Sequence, residues 1–385
     1  MHAFSTSLSH AKITHLTSVH SSLDVRIFHK ECKSLRDAGY EVALVAPHER
    51  SEDVEGIHIS AVPMCENRRE RMSRTVRAVL HAALAEDADL YHFHDPELIP
   101  VGLWLKARGK RVLYDVHEHV PQQIRAKTWI SPWLRRPMSA GMVAIEGGST
   151  RLFDGVVAAT PTIASRFPAD KTVTVQNFPI VGEFRQRAGV PYRQRAATVA
   201  YVGGLTAQRG AWEMVRAMGC LPEGLGARLQ LAGAFQPEQL QGELEAAPAW
   251  PLVDCAGWLS RSEVADFLDL ARIGMVTLHP LPNYQDAYPI KLFEYMAAGI
   301  PVVASDFPLW RRIVEDAGCG LLADPLDPNA IAAAIQWLLE HEDEAEAMGR
   351  RGQRAVIEQY NWDVEAKKLL DFYHSLLGLE CVPQF

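Results

Sequence analysis

The chain has 385 residues, a length that suggests two domains rather than one. Hydrophobic residues make up 48%, enough to fill two cores, while a formal net charge of -8 argues against a chain-wide nucleic-acid footprint, which would be basic. The six cysteines, at positions 32, 65, 220, 255, 319 and 381, form no C-x-x-C pair, so free thiols in a reducing compartment are expected rather than a zinc or redox motif. Met1 to His10 is polar and small, with no charged start ahead of an apolar core. No apolar run is long enough to span a bilayer, so a cytoplasmic protein is expected, working at the inner face of the plasma membrane.

Short runs rich in Val, Ile and Leu alternate with helical patterns. Ile13–Thr17 reads as the first strand. A helix follows, with Val25, Phe28, Cys32 and Leu35 on one face and Gly39 as its stop. EVALVAP, IHISAVP, DLYHFHD, RVLYDV, GVVAAT and TVTVQN read as further strands. Strands alternating with helices imply crossover units and a parallel sheet. One doubly wound domain is therefore expected over residues 1–177. The polar stretch 178–195, with Pro179 and Pro191, reads as a linker. A second series occupies 196–362, with strands at TVAYVGG, RLQLAGA, VDCAGW, IGMVTLHP, IPVVAS and GLLADP. The fold class is α/β, two Rossmann-like doubly wound domains in tandem. A last helix in 363–385 carries Leu369, Leu370, Phe372, Tyr373 and Leu376, and is expected to cap the second domain or cross back to the first.

Open parallel sheets bind ligands outside the carboxyl ends of their strands, so the chemistry is expected in the loops there. Gly203-Gly204 ends the first strand of the second series, and Arg209-Gly210 opens the next helix. Glycine admits a phosphate close to the backbone, and a cation at a helix start suits a diphosphate; a plain tight turn explains the pair equally well. The richest stretch is DAYPIKLFEYMAAGIPVVAS, from Asp286 to Ser305. Here Ile290, Leu292, Phe293, Tyr295 and Met296 pack a helix that Gly299 stops. Lys291 and Glu294 interrupt its apolar pattern, and Asp286 stands in the loop before it. A carboxylate accepts hydrogen bonds from paired sugar hydroxyls, and a lysine neutralises phosphate. For each residue alone a solvated helix face is the commoner reading, but together they favour a ligand site.

At these residues the sequence resembles the retaining glycosyltransferases of family 4, which have the GT-B fold. The family's mark is two acidic residues separated by seven, here Asp286 and Glu294, with Asp where Glu is usual. YVGGLTAQRG resembles the donor-phosphate loop. Gly204 stands where many members carry Arg, and Arg209 where they carry Lys. The resemblance is specific from about Thr198 to Tyr373 and looser from Lys12 to Gln176. It implies that Glu294 binds ribose, Asp286 the donor hexose, and Arg209 and Lys291 the diphosphate. Gly203 and Gly204 would lie against that phosphate, Trp258 near the base, and His117 of YDVHE at the transferred sugar. It further implies a nucleotide diphosphate sugar as co-substrate, no metal and no other cofactor, and domains facing across a cleft. The expected activity is a metal-independent, retaining hexosyl transfer to a saccharide or polyprenyl-linked saccharide in surface polysaccharide biosynthesis, such as lipopolysaccharide or exopolysaccharide. A UDP-sugar is preferred to a GDP-sugar such as GDP-mannose.

The first series is rich in histidine near strand ends: His20, His92, His94, His117 and His119. His92 and His94 alternate on one strand face, and spacing alone allows a metal site, but sugar contact by His117, which the resemblance implies, is the preferred reading. His20 and Ser21, in the loop after the first strand, are acceptor-side candidates on fold analogy alone. Two basic segments, 68–81 and 125–136, mix Arg68, Arg69, Arg71, Arg74, Arg77, Arg125, Lys127, Arg135 and Arg136 with Trp129 and Trp133. They suit peripheral contact with an anionic membrane; a solvated helix face over an ordinary core is the competing reading. A GT-B sugar-nucleotide epimerase and a non-catalytic sugar-nucleotide-binding protein remain alternatives, and nucleic-acid binding ranks last.

Overall fold

The computed structural model describes residues 11–65, 67, 70–127, 129–184 and 190–379. Arg68, Arg69 and Cys381 lie outside the described residues. The chain divides into two compact units. One comprises residues up to Asn177 together with those from Glu365 onward, and the other runs from Phe178 to Val364. Among the described residues, no helix is long and apolar enough to cross a membrane.

Among the described residues the first unit is built on eight strands: β1 (Lys12–Leu16), β2 (Glu41–Pro47), β3 (Glu52–Val54), β4 (Ile57–Val62), β5 (Leu90–Phe93), β6 (Arg111–Val116), β7 (Gly155–Ala158) and β8 (Thr172–Thr174). Their order across the sheet is β3-β4-β2-β1-β5-β6-β7-β8. Ile13 of β1 is paired with Val42 on one side and Leu90 on the other. Helices cover both faces, so the central strands are apolar along their length rather than alternating. Val42 to Ala46 are all buried. At one edge the sequence-based expectation of a purely parallel sheet fails. IHISAVP pairs antiparallel with the short β3, as Glu52 opposes Ile59, because the turn at Glu55-Gly56 is too short for a crossover. At the centre Phe93 stacks on Tyr114 and meets Phe153 edge to face, with ring centroids 4.6 and 5.3 Å apart. In the final helix, Trp362–Leu377, Leu369 and Tyr373 are fully buried.

The helix after β1 is wound more widely than expected. Val25–Cys32 forms a π-helix, with His29 N donating to Asp24 O five residues back, before Lys33–Asp37 tightens to α. Asp24 caps it, accepting from the amides of Arg26 and Ile27. The wide turn buries three charged side chains, Arg26, Lys30 and Glu31.

The second unit carries six strands, all parallel: β9 (Thr198–Val202), β10 (Arg228–Ala232), β11 (Val253–Gly257), β12 (Ile273–Val276), β13 (Val302–Ser305) and β14 (Gly320–Ala323). The order β11-β10-β9-β12-β13-β14 is 3-2-1-4-5-6 within the unit, the dinucleotide-fold order, with its switch point between β9 and β12. The edge strand β11 is exposed from Asp254 onward. The helix Ile290–Ala297 buries Leu292, Phe293, Tyr295 and Met296 completely. In 178–195, Phe178, Phe184 and Tyr192 are buried in this unit's core.

Candidate functional site

In the second unit the switch point separates the loops after β9 and β12, so a crevice opens there by topology. Three strands in a row end in glycine: Gly203 after β9, Gly233 after β10 and Gly257 in β11, with φ of +122°, +142° and +71°. The first two backbones touch. A Cβ on Gly233 would stand 2.1 Å from the Gly203 carbonyl oxygen. Gly203 N donates to Ala232 O and Gly233 N to Gly257 O, which ties the three loops together. Gly233 received no weight in the sequence beyond marking a strand end, and Gly257 only as the turn that the resemblance sets near the base with Trp258. The run of glycines at successive strand ends is the signal that would have found them.

Beyond β9 the chain turns through Ala207–Arg209 into the helix Ala211–Gly219. Thr206 Oγ1 accepts from Arg209 N, and Gly210 (φ +79°) lies so close to Thr277 O that a Cβ would stand 2.2 Å from it. This pins the loop after β9 to the end of β12. Arg209 Nη1 donates to Gly204 O at 3.2 Å, so the guanidinium lies over the glycine loop. His279, also after β12, pairs with Glu213 at 3.0 Å, a contact that spacing did not reveal.

Lys291 is the most informative residue. Its helix packs against β12 and β13, and the Nζ would stand 3.1 Å from a Cβ on Gly203. The same atom lies 3.8 Å from the centroid of the Tyr201 ring. It is buried and makes no hydrogen bond. Burial, followed by the charge of Arg209, pushes its pKa well below the usual lysine range, against the pull of Glu294. Arg209 and Lys291 thus converge on the glycine loop after β9, where a bound anion would favour the charged form of the lysine. Glu294, three residues on, is mostly buried, and its Oε1 stands 3.9 Å from Arg261 Nη1. Arg261 is itself paired with Glu183 through Nε at 3.2 Å, and sequence reasoning had passed over both. Asp286 is exposed, after the short helix Pro282–Gln285. Trp258 is 79% exposed and makes no hydrogen bond or ring contact among the described residues. The structure therefore brings Gly203, Gly204, Arg209 and Lys291 together, sets Glu294 one turn along from Lys291, and leaves Asp286 and Trp258 at the surface.

The first unit has its own switch point, between β1 and β5. A cavity of about 330 Å³ opens there, lined by His20, Arg71, Asp95, Glu97, His117 and Lys127 among others. Asp95 anchors the loop after β1, accepting from Thr17 Oγ1 at 2.8 Å and Ser18 N at 2.6 Å. His20 and His117 meet through their Nε2 atoms at 3.1 Å. Burial works against charge on His20, but hydrogen bonding to Asp24 and the charges of Asp95 and Asp24 outweigh it and raise its pKa. For His117 burial prevails over Asp115, and the His20 charge adds to it, so its pKa falls. The two shifts favour the arrangement in which His20 carries the proton and donates to His117. The remaining ring proton of His117 then sits on Nδ1, which is buried without a partner. Ser21 and His119 serve their own turns. Ser21 Oγ accepts from Leu23 N, and His119 Nδ1 accepts from Gln122 N.

Of the basic segments, Arg71 is engaged by Glu97 at 2.9 Å and Arg74 by Glu70 at 3.1 Å, so the first is less free than its composition suggests. In the second, Arg135 Nε donates to Ile130 O, while Trp129 and Trp133 are 67% and 75% exposed. The outer side of the helix Pro132–Thr150 continues this surface through Met138, Val143 and Ile145, all exposed.

Two family models match the chain, one per unit. The model of glycosyl transferases group 1 matches residues 183–355, and that of Glycosyltransferase Family 4 matches residues 25–177. A phosphatidyl-myo-inositol mannosyltransferase of Mycobacterium leprae is 24% identical over 360 residues, which cover 89% of this chain and 90% of that protein. Among solved structures, a sucrose-phosphate synthase from Thermosynechococcus elongatus superposes with a TM-score of 0.77 at 19% identity, over 96% of this chain and 99% of that one. Anabaena HepE in complex with UDP and glucose gives 0.71 at 14% identity, over 95% and 100%. With both units matched and the dinucleotide-fold topology in the second, the chain belongs to the group 1, family 4 glycosyltransferases of GT-B fold, enzymes that use a nucleotide sugar.

Proposed function

We propose that the protein transfers a hexose-type sugar from a nucleotide diphosphate sugar to a saccharide or lipid-linked saccharide, with retention of anomeric configuration and no metal. The observation that carries this reading is the buried Lys291 Nζ, without a hydrogen-bond partner, against Gly203 at the switch point of the second unit. A bound diphosphate would supply the missing partner. As the bond to the sugar breaks, charge concentrates on the leaving nucleoside diphosphate. In this reading Lys291 and Arg209 stabilise that charge electrostatically. The acceptor hydroxyl would attack the anomeric carbon from the leaving-group face, and the departing phosphate oxygen would take its proton. We assign Glu294 to the ribose hydroxyls, Asp286 and His117 to the transferred sugar, and Trp258 to the base side. The UDP complex of HepE supports a UDP-sugar, whereas the mannosyltransferase relative points towards a mannose donor. The acceptor reading draws on that relative's lipid substrate and on the exposed Trp129 and Trp133 beside Arg136 and Lys127, which fit an anionic membrane surface. The test is turnover of UDP- and GDP-sugars with a panel of free and lipid-linked saccharides, read by proton NMR of the anomeric signal. A product that keeps the donor's configuration is expected. An inverted product would overturn retention, and nucleotide release without glycoside formation would favour the epimerase reading.

A further inference from the structure

A group of buried side chains in the first unit takes no part in the activity above. The register of β1 on β5 places His15 beside His92, and His94 follows at the strand end. The π-helix Val25–Cys32 lays Glu31 against all three. All four are buried, at 0 or 1% exposure. Glu31 Oε2 stands 3.8 Å from His15 Nδ1, 3.8 Å from His92 Nδ1 and 3.9 Å from His94 Nε2. The four ligand atoms all lie within 4.8 Å of one another.

Those distances are informative. A carboxylate sharing a dry pocket with three imidazoles would ordinarily accept a hydrogen bond from one of them, at about 2.7–3.2 Å. Here neither Glu31 oxygen accepts one, although Arg26 Nε lies 3.0 Å from Oε1. The separations instead approach those across a tetrahedral cation. Ligand bonds of about 2.0–2.2 Å set neighbouring donor atoms roughly 3.4 Å apart. To close the set, the Glu31 contacts would shorten by about half an ångström while His15 Nδ1 and His94 Nε2, 2.9 Å apart, would part by about as much. The outer contacts fit as well. His94 Nδ1 faces Asp115 Oδ2 at 3.2 Å, the carboxylate-histidine arrangement that orients a metal-binding ring. Tyr373 Oη bonds His92 Nδ1 at 2.7 Å and lies 3.4 Å from His15 Nε2, so it can retain the second ring when the first turns to a metal.

We propose that His15, Glu31, His92 and His94 form a structural site for a divalent transition metal of the zinc type. Imidazole with one carboxylate suits zinc or cobalt over magnesium or calcium, and four buried protein ligands leave no open position for catalysis. The ion would tie β1, β5 and the π-helix together. In the absence of metal the same rings are held by a hydrogen-bond chain, with His15 Nδ1 2.9 Å from His94 Nε2.

The test is to strip the untagged full chain with a chelator and then titrate it with Co2+. We expect one cobalt per chain, visible bands of tetrahedral cobalt, displacement by Zn2+, and a rise in Tm on metal binding. Glu31→Gln should weaken binding by more than the roughly 10–100-fold cost of losing an outer partner. Tyr373→Phe, which releases His92 Nδ1, should bind at least as tightly as the wild type. This second variant keeps the test decisive if Glu31→Gln fails to fold. Absence of stoichiometric cobalt in the wild type, an octahedral spectrum, or binding unchanged in Glu31→Gln would overturn the proposal.

Discussion

Two residues in the crevices are held in states that a solvated side chain would not adopt. Lys291 Nζ lies under a glycine loop with no hydrogen-bond partner and is pushed towards its neutral form, a poor arrangement for the free protein and a useful one for an anion site, where a bound anion would restore the charge. Replacing it with a shape-matched apolar side chain should therefore separate stability from binding. Lys291→Met should raise the Tm of the ligand-free protein, by about 2–4 °C for each kcal/mol of relieved burial, while weakening nucleotide diphosphate binding. A Tm that falls would contradict this. His20 acts in the opposite sense, because its partners raise its pKa. Its contribution is complete below the unfolded value near 6.5 and is lost as pH rises through the folded value. Asp24, whose carboxyl is held down by His20 and the helix amides against burial, contributes above the usual carboxylate range and loses that as pH falls. The pair should be worth most between about pH 4.5 and 6.5, on the order of 1 kcal/mol. Urea unfolding at pH 6 and pH 9 should show a drop for the wild type that His20→Asn lacks.

At the scale of elements, the donor crevice depends on loops that touch backbone to backbone. Gly233→Ala would set a methyl 2.1 Å from Gly203 O at a φ of +142°, so the loop after β9 must move. A loss of about 2 kcal/mol or more in stability is expected, with weakened nucleotide binding, read by denaturant unfolding and titration. Wild-type values for both would show the contact to be unimportant. The elements were largely legible in the sequence because buried parallel strands are apolar end to end and their helices carry the 3.6 period. What escaped was set by distant pairing. Lys291 was legible as a phosphate candidate, but nothing local says that its Nζ ends beneath Gly203. His92 and His94 were visible as one strand face, but only the β1–β5 register adds His15. The antiparallel β3 is three residues long, too short for a periodic signal. The π-wound turn that buries Arg26, Lys30 and Glu31 resembles an ordinary amphipathic helix in sequence.

For the molecule as a whole, the two units share one architecture and differ in what lines their switch points: glycine, arginine and lysine in the second, histidine and carboxylates in the first. The first also bears the exposed Trp129 and Trp133. Flotation with liposomes should recover more protein with anionic than with neutral lipid. Trp133→Ala should lower recovery by roughly tenfold, equivalent to about 1.4 kcal/mol of interfacial burial. Equal recovery with both lipids would contradict membrane contact. The central claim is that the second unit holds a nucleoside diphosphate between its glycine loop and the helix carrying Lys291 and Glu294. Calorimetric titration of the full chain with UDP and with GDP, in the wild type and in Glu294→Ala, tests it most directly. We predict that one nucleotide binds to the wild type and loses about 1.5–3 kcal/mol in the variant, the worth of a hydrogen bond to a charged group. Binding of neither nucleotide by the folded wild type, or equal binding by the variant, would contradict the assignment.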